Sequence, residues 1–256
     1  KTFRARVKTI NLPKRNHIQF PPLTSFKSNK KLSPKMTLET ASNKRPILIL
    51  MTKLAVEGHC KTRLAANIGP KNAARIQGEL TKHTIAVAQS LAKRWLVEVH
   101  LAISGISSKE GQKWGLNQGL KNVFHQGEGD LGLRMKRQIL QSHKKLTTKN
   151  SINRTTLLIG TDLPTLCQLD LIKAIKELES NEMVLGPALD GGYWLLGLSE
   201  QLVNPLVSWP FDSIAWGTNQ VLRQTISKAK EKDIRYALLR EQNDVDHLND
   251  LSPWQG

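Results

Sequence analysis

The sequence predicts an α/β fold, a mainly parallel sheet covered by helices on both faces. Two observations predict it. Short apolar runs of strand length alternate with longer segments whose apolar residues recur at three- and four-residue steps. No internal repeat and no second hydrophobic core interrupts that alternation, so one unit is expected from residue 45 to residue 256.

The elements follow in order. Pro46–Thr52 (PILILMT) reads as a buried strand. Pro70 opens a long helix, since proline suits the first helical turn, and Ile76, Leu80, Ile85, Val87 and Leu91 mark its apolar stripe. Leu96–Ser104 is a second strand and Asn122–His125 a short third. Asp130 can cap the next helix, which places Leu131, Met135 and Ile139 on one face. Thr156–Gly160 is a fourth buried strand. The segment from Gln168 to Ser180 is an amphipathic helix with Leu169, Ile172, Ile175 and Leu178 inward. Met183–Pro187 and Tyr193–Leu198 are two strands separated by a glycine turn. Thr218 can cap a helix carrying Val221, Leu222, Thr225 and Ile226, and Arg235–Leu239 is the last strand.

Charge is distributed unevenly. Residues 1–45 hold 12 Lys/Arg against one acid, Glu39, and so carry +11 of the net +17. Pro13, Pro21, Pro22 and Pro34 interrupt any helix there, so residues 1–44 are expected to be a basic, solvated extension ahead of the working fold. A charge-driven nucleic-acid binder is not expected, because the charge sits in the tail, aromatics are only 5%, and no stacking platform is visible. No apolar run approaches the roughly 20 residues of a membrane helix. Cys60 and Cys167 form neither a disulfide framework nor a CxxC pair, and each reads as a plain buried thiol. A cytoplasmic protein without a membrane span is the expectation.

In folds of this class ligands bind at the carboxyl ends of strands, so the loops there carry the chemistry. The loop Lys53–Leu64 holds Lys53, Gly58, Lys61 and Arg63, a flexible turn with point and forked cations suited to a diphosphate, or else a solvated basic loop. It is neither a Walker loop nor a dinucleotide fingerprint. Asp162, in GTDLP, stands directly after a buried strand, where it can cap a turn or hold Mg2+ or Mn2+. Asp190, Gly191 and Gly192 form a turn flanked by Tyr193 and Trp194, which suits a hairpin or an acceptor pocket with Asp190 as hydrogen-bond partner or base. Asp244, Asp246 and Asp250 cluster after the last strand, and Asp246 is the candidate second metal ligand.

Six blocks in this order, KTRL, QGEGDLGLRM, LLIGTDLPTL, LGPALDGGYWLLGL, WPFDSIAWGTNQVL and DVDHLNDL, resemble the selenodomain-associated, radical-SAM-linked transferases, also described as arsenosugar-biosynthesis glycosyltransferases. The resemblance runs from Arg45 to Leu251. It implies the Rossmann-like GT-A fold of nucleotide-diphospho-sugar transferases and a group transfer from a nucleotide-sugar to a small-molecule acceptor. It also implies a nucleotidyltransferase using a nucleoside triphosphate as the alternative. By the same resemblance Lys61 and Arg63 sit at the donor phosphates, where the loop reading adds Lys53 and Gly58, and Gln126, Asp130 and Arg134 fall in the block that lines the donor or acceptor. The resemblance also makes Asp162 and Asp246 the positions that hold Mg2+ or Mn2+; the residue reading adds Asp162 and Asp190 as candidate catalytic carboxylates and Gly191, Gly192, Tyr193 and Trp216 as the candidate acceptor pocket. Where the family usually has prolines in the first loop, this chain has Ala55 and Glu57.

Deleting residues 1–35 is expected to leave the thermal midpoint nearly unchanged. A large drop would show that the basic segment packs on the fold.

Overall fold

The structure, a computed structural model, describes residues 45–144, 154–203 and 212–254. The basic segment 1–44 lies outside the described residues. Seven strands form one sheet: β1 (Ile47–Lys53), β2 (Glu98–Ser104), β3 (Asn122–His125), β4 (Thr156–Gly160), β5 (Met183–Pro187), β6 (Tyr193–Leu198) and β7 (Tyr236–Leu238). Their spatial order is β3-β2-β1-β4-β6-β5-β7. β6 alone runs antiparallel to its neighbours, pairing with both β4 and β5. The expected mainly parallel α/β sheet is therefore what the chain forms, and each expected strand is present.

The strands are apolar on both sides because helices cover both faces. On one face α2 (Pro70–Lys93), α3 (Ser108–Asn117) and α5 (Gln168–Glu177) pack over Leu48, Leu50, Leu101, Ile103, Leu157 and Ile159. On the other, α4 (Leu131–Lys144) and α7 (Val221–Glu231) cover Ile47, Ile49, Leu158, Met183, Leu185 and Leu196. Two short helices, α1 (Thr62–Ile68) and α6 (Glu200–Val203), and a 3-10 turn at Leu248–Trp254 complete the order.

Five details differ from the expectation. The basic loop ends early, because Thr62 already begins α1. α3 was not expected, since SKEGQKWGLN has little apolar periodicity. A capping box starts it: Ser107 Oγ accepts from Glu110 N, and the Glu110 carboxylate accepts from Ser107 N. Its glycines then allow close approach to the sheet. A Cβ at Gly111 would meet Ile103 at 2.6 Å, and one at Gly115 would meet Val123 at 2.5 Å. In α5 the buried face is Leu171, Ala174 and Leu178, with Ile172 and Ile175 only partly buried, and Leu169 is 48% exposed. The face is turned because the Asp170 carboxylate accepts from Cys167 N at the helix start and binds Arg240, which holds Asp170 inward. Leu131 on α4 is likewise exposed, while Met135 and Ile139 are buried. α7 starts at Val221, so Thr218 shapes the preceding turn, its hydroxyl donating to Ala215 O and accepting from Gln220 N.

The amino ends of the strands are closed by a buried polar cluster. Arg154, 2% exposed, donates to the Glu98 carboxylate at 2.8 Å and to Arg45 O. His100 Nε2 donates to Glu98 at 2.9 Å, and its Nδ1 is hydrogen-bonded to Ser142 Oγ at 2.8 Å. The His100 bond, with Arg154 adding to it and burial opposing, holds Glu98 down to about 2. Burial first, then Arg154 and His100, pulls His143 down to about 4.

Both groups bind protons less readily in the folded chain than in the unfolded one. Their stabilisation is complete above the unfolded values and is lost as pH falls. The thermal midpoint is expected to drop in two stages, from 6.5 to about 4 for His143 and from 4.5 to about 2 for Glu98. Glu98→Gln is expected to remove the lower stage and to cost roughly 3 kcal/mol at pH 7, because it leaves buried Arg154 without its counter-charge. An unchanged midpoint at pH 7 would contradict this.

Candidate active site

The strand order reverses at β1, which lies between β2 and β4. Crevices form at such points beyond the carboxyl ends of the strands. Lys53 ends β1 and Asp162 stands just beyond β4, so both face that crevice. A cavity of about 360 Å³ opens there, lined by Lys53, Cys60, Lys61, Arg63, Gln77, Thr161, Asp162 and Asp246 among others.

The chain after β7 is laid across this edge. Asp162 O accepts from Val245 N, and Gln242 Oε1 accepts from Thr165 Oγ1. A small apolar cluster of Leu64, Ile76, Leu80, Val245 and Leu251 joins α1, α2 and the C-terminal segment. Asp250 shapes the segment, its carboxylate accepting from Asp246 N, His247 N and Asn243 Nδ2. Asp250 is thus structural, and it sets the position of Asp246.

These constraints bring Asp162 and Asp246 together around one cation, the ammonium of Lys61. Lys61 Nζ lies 3.2 Å from Asp162 Oδ2 and 3.1 Å from Asp246 Oδ1, and its side chain is 4% exposed. The remaining oxygens are also bonded. Gln77 Nε2 donates to Asp162 Oδ1 at 2.9 Å, and Arg63 Nη1 binds Asp246 Oδ2 at 3.1 Å. Burial works to lower the Lys61 pKa, but the two carboxylates outweigh it and raise the value. Lys61 holds a left-handed backbone, φ 46 and ψ 48, at the start of α1, with no side-chain cap. Such a conformation is costly for a lysine and tends to persist at functional sites. Asp244 nearby is pushed up to about 6, chiefly by burial and then by Asp246, with Asp190 and Asp162 adding to the crowding and Lys61 opposing it.

A second cavity of about 280 Å³ shares Met51, Lys53 and Asp162 with the first. Its polar lining includes Gln126, Arg134 and Ser104, and its apolar wall includes Met135, Leu158, Tyr193 and Trp194. Gln126 is fixed by donating to Thr52 O and Ala102 O, and its Oε1 accepts from Arg134.

The structure thus gathers Lys53, Lys61, Arg63, Asp162 and Asp246 in one cavity and Gln126, Arg134 and Tyr193 in the adjoining one. Gly58, φ +76, turns the first loop and lies outside both linings. Glu57 also lies outside both and is exposed. Asp130 caps α4, accepting from Leu133 N. Asp190 accepts from Gly192 N in an exposed turn. Gly191, φ +86, gives its carbonyl to Leu222 N and lies against the backbone of Asn219, leaving no room for a side chain. Trp216 packs edge-on against Tyr193, supporting the wall behind it. Gln77 went unnoticed in the sequence, though a glutamine beside Ile76 on the buried stripe of a long helix is the signal that marks it.

The fold is that of the nucleotide-diphospho-sugar transferase-like α/β proteins. The family model described as "Uncharacterized protein conserved in bacteria (DUF2064)" matches residues 86–218, and the chain belongs to that family. The structure is similar to that of a proposed nucleotide-diphospho-sugar transferase from Desulfovibrio desulfuricans G20, with 25% identity and a TM-score of 0.66 over 80% of this chain and 83% of that one. It is also similar to 4-diphosphocytidyl-2C-methyl-D-erythritol synthase from Anaerococcus prevotii, at 11% identity and a TM-score of 0.53 over 83% of this chain and 97% of that one. The second likeness bears on the fold alone. No curated protein matches the sequence. Among the described residues no helix is long and apolar enough to cross a membrane.

Gln77 is expected to position Asp162. A double-mutant cycle of Gln77→Leu and Asp162→Asn should give a coupling of about 1 kcal/mol, below the range for fully buried charged hydrogen bonds. The discount follows from the 40% exposure of the Asp162 side chain. Zero coupling would show that the contact fixes nothing.

Proposed function

We propose that the protein is a transferase that draws on a nucleotide-diphospho-sugar donor, with a divalent cation assisting. One observation carries this reading: three cations, Lys53, Lys61 and Arg63, and two converging carboxylates, Asp162 and Asp246, line a single cavity at the switch point of a mainly parallel sheet. The likeness to the Desulfovibrio protein supports it, as does the resemblance of the sequence blocks to the selenodomain-associated transferases.

The residues fit a divalent cation. Asp162 and Asp246 offer oxygen donors, which Mg2+ and Mn2+ prefer, and a positive group already occupies the point on which they converge. Among the described residues no group of three or more His, Cys, Asp and Glu is placed to hold a metal, so the protein would contribute two ligands and the donor the rest. Bound there, the cation would offset the charge that develops on the leaving diphosphate. Lys53 and Arg63 would hold the diphosphate oxygens, Lys53 as a point charge and Arg63 as a fork. Gln77 would keep Asp162 in orientation. The second cavity, with fixed Gln126 and Arg134 opposite Tyr193, would seat the transferred group or its acceptor beside Asp162.

The direct test is a thermal-shift panel of nucleotides, nucleoside triphosphates and nucleotide-sugars, with and without manganese, because a ligand that binds the native state stabilises it. A nucleotide-sugar is expected to raise the midpoint most, and only with manganese. A response confined to a triphosphate would replace this reading with nucleotidyl transfer, and no response to any of them would end it. For the donor so identified, Arg63→Ala is expected to weaken binding roughly tenfold in calorimetric titration, the low end for a charged hydrogen bond. The low end is chosen because Arg63 is 65% exposed and already shared with Asp246. Unchanged affinity in a folded variant would make Arg63 a structural partner of Asp246 only.

A further inference from the structure

We propose that Lys61 is a displaceable counter-ion. Its ammonium holds the Asp162–Asp246 pair together in the free protein and gives up that place when a divalent cation arrives. The inference rests on the metal-assisted donor site proposed above and says how that site is kept ready and when it fills.

Every oxygen of the pair has a donor: Gln77 and Lys61 on Asp162, Lys61 and Arg63 on Asp246. The pair is therefore complete without a metal, and its two negative charges are matched by Lys61 and Arg63. A divalent cation cannot join the pair while the ammonium remains, because Nζ sits within 3.2 Å of an oxygen from each carboxylate. Two like charges confined to one such point repel strongly in a partly desolvated cleft. One of them must leave.

Charge balance indicates when. A metal alone, replacing the ammonium, would leave the cleft with excess positive charge. A diphosphate alone, which in a nucleotide-sugar carries about two negative charges, would leave it with excess negative charge beside two carboxylates. Both together add no net charge, so the balance of the free cleft is kept if Lys61 and Arg63 stay and turn to the diphosphate. Lys61 lines the same cavity as Lys53 and Arg63, so its ammonium has an anion to move to. The strained backbone at Lys61 is consistent with a side chain held in place by its partners rather than by local preference. Metal affinity in the free protein is then low by construction, and donor and metal enter as a coupled pair.

Two measurements without any nucleotide test this. The first is manganese titration followed by electron paramagnetic resonance. Lys61→Met should bind manganese at least tenfold more tightly than the parent, and Asp162→Asn in the Lys61→Met background should abolish the gain. Lys61→Gln serves where the methionine variant does not fold. The second uses the parent protein. Lys61 should resist acetylation by acetic anhydride when free, as a side chain 4% exposed. Saturating manganese should raise its labelling several-fold, as read by mass spectrometry. Equal manganese affinity in parent and variant, a gain that survives Asp162→Asn, or labelling unaffected by manganese would each overturn the proposal. A donor panel with no stabilising nucleotide would sink the donor reading and leave these results standing, so the two failures are separable.

Discussion

Two ionised carboxylates that converge in a partly desolvated cleft repel unless a cation stands between them, and in this protein that cation is Lys61. At about 4 Å and an effective dielectric near 20, the repulsion of two bare carboxylates is on the order of 4 kcal/mol before screening. The ammonium turns that repulsion into two attractions at 3.2 and 3.1 Å. Through them it ties together three parts of the chain that are remote in sequence: the loop after β1, the end of β4 and the segment after β7.

The rest of the molecule supplies the frame for that contact. Helices on both faces force the central strands to be apolar throughout, which leaves polar side chains room only at the strand ends. At the amino ends Arg154 and His100 both bind Glu98 and seal the sheet. At the carboxyl ends the polar groups face a cavity instead. The crossing segment is held by Val245 N on Asp162 O and by the cluster of Leu64, Ile76, Leu80, Val245 and Leu251, so Asp246 reaches the crevice with a fixed backbone. One end of the sheet is thus spent on closure and the other left available for a ligand.

Much of this was legible in the sequence. Runs as short as ILIL and TLLI, rich in Ile and Leu and of strand length, read as buried strands, and an aspartate directly after one of them has little packing role. The helices were read less well where their apolar signal is weak or displaced. α3 packs through glycines rather than through large side chains, so periodicity missed it, although Ser107 and Glu110 spell its capping box. The face of α5 is set by the Asp170–Arg240 pair, a contact between residues 70 apart that no local pattern contains. The same limit applies at the site. KTRL, GTD and DVD mark the cavity that the structure forms, yet a lysine meant for phosphate and a lysine meant for carboxylates look alike in sequence. That Lys61 bridges Asp162 and Asp246, with Gln77 behind them, depends on tertiary distances alone.

The central claim is that the Asp162–Asp246 pair is a cation site whose occupant changes when a donor binds. Anomalous diffraction at the manganese edge, from crystals grown with manganese and the nucleotide-sugar that most stabilises the protein, tests it most directly. The account predicts one strong peak at bonding distance from both carboxylates, with the Lys61 ammonium moved onto the diphosphate. A donor bound in the cavity with no peak there, and Lys61 still bridging the two aspartates, would contradict it.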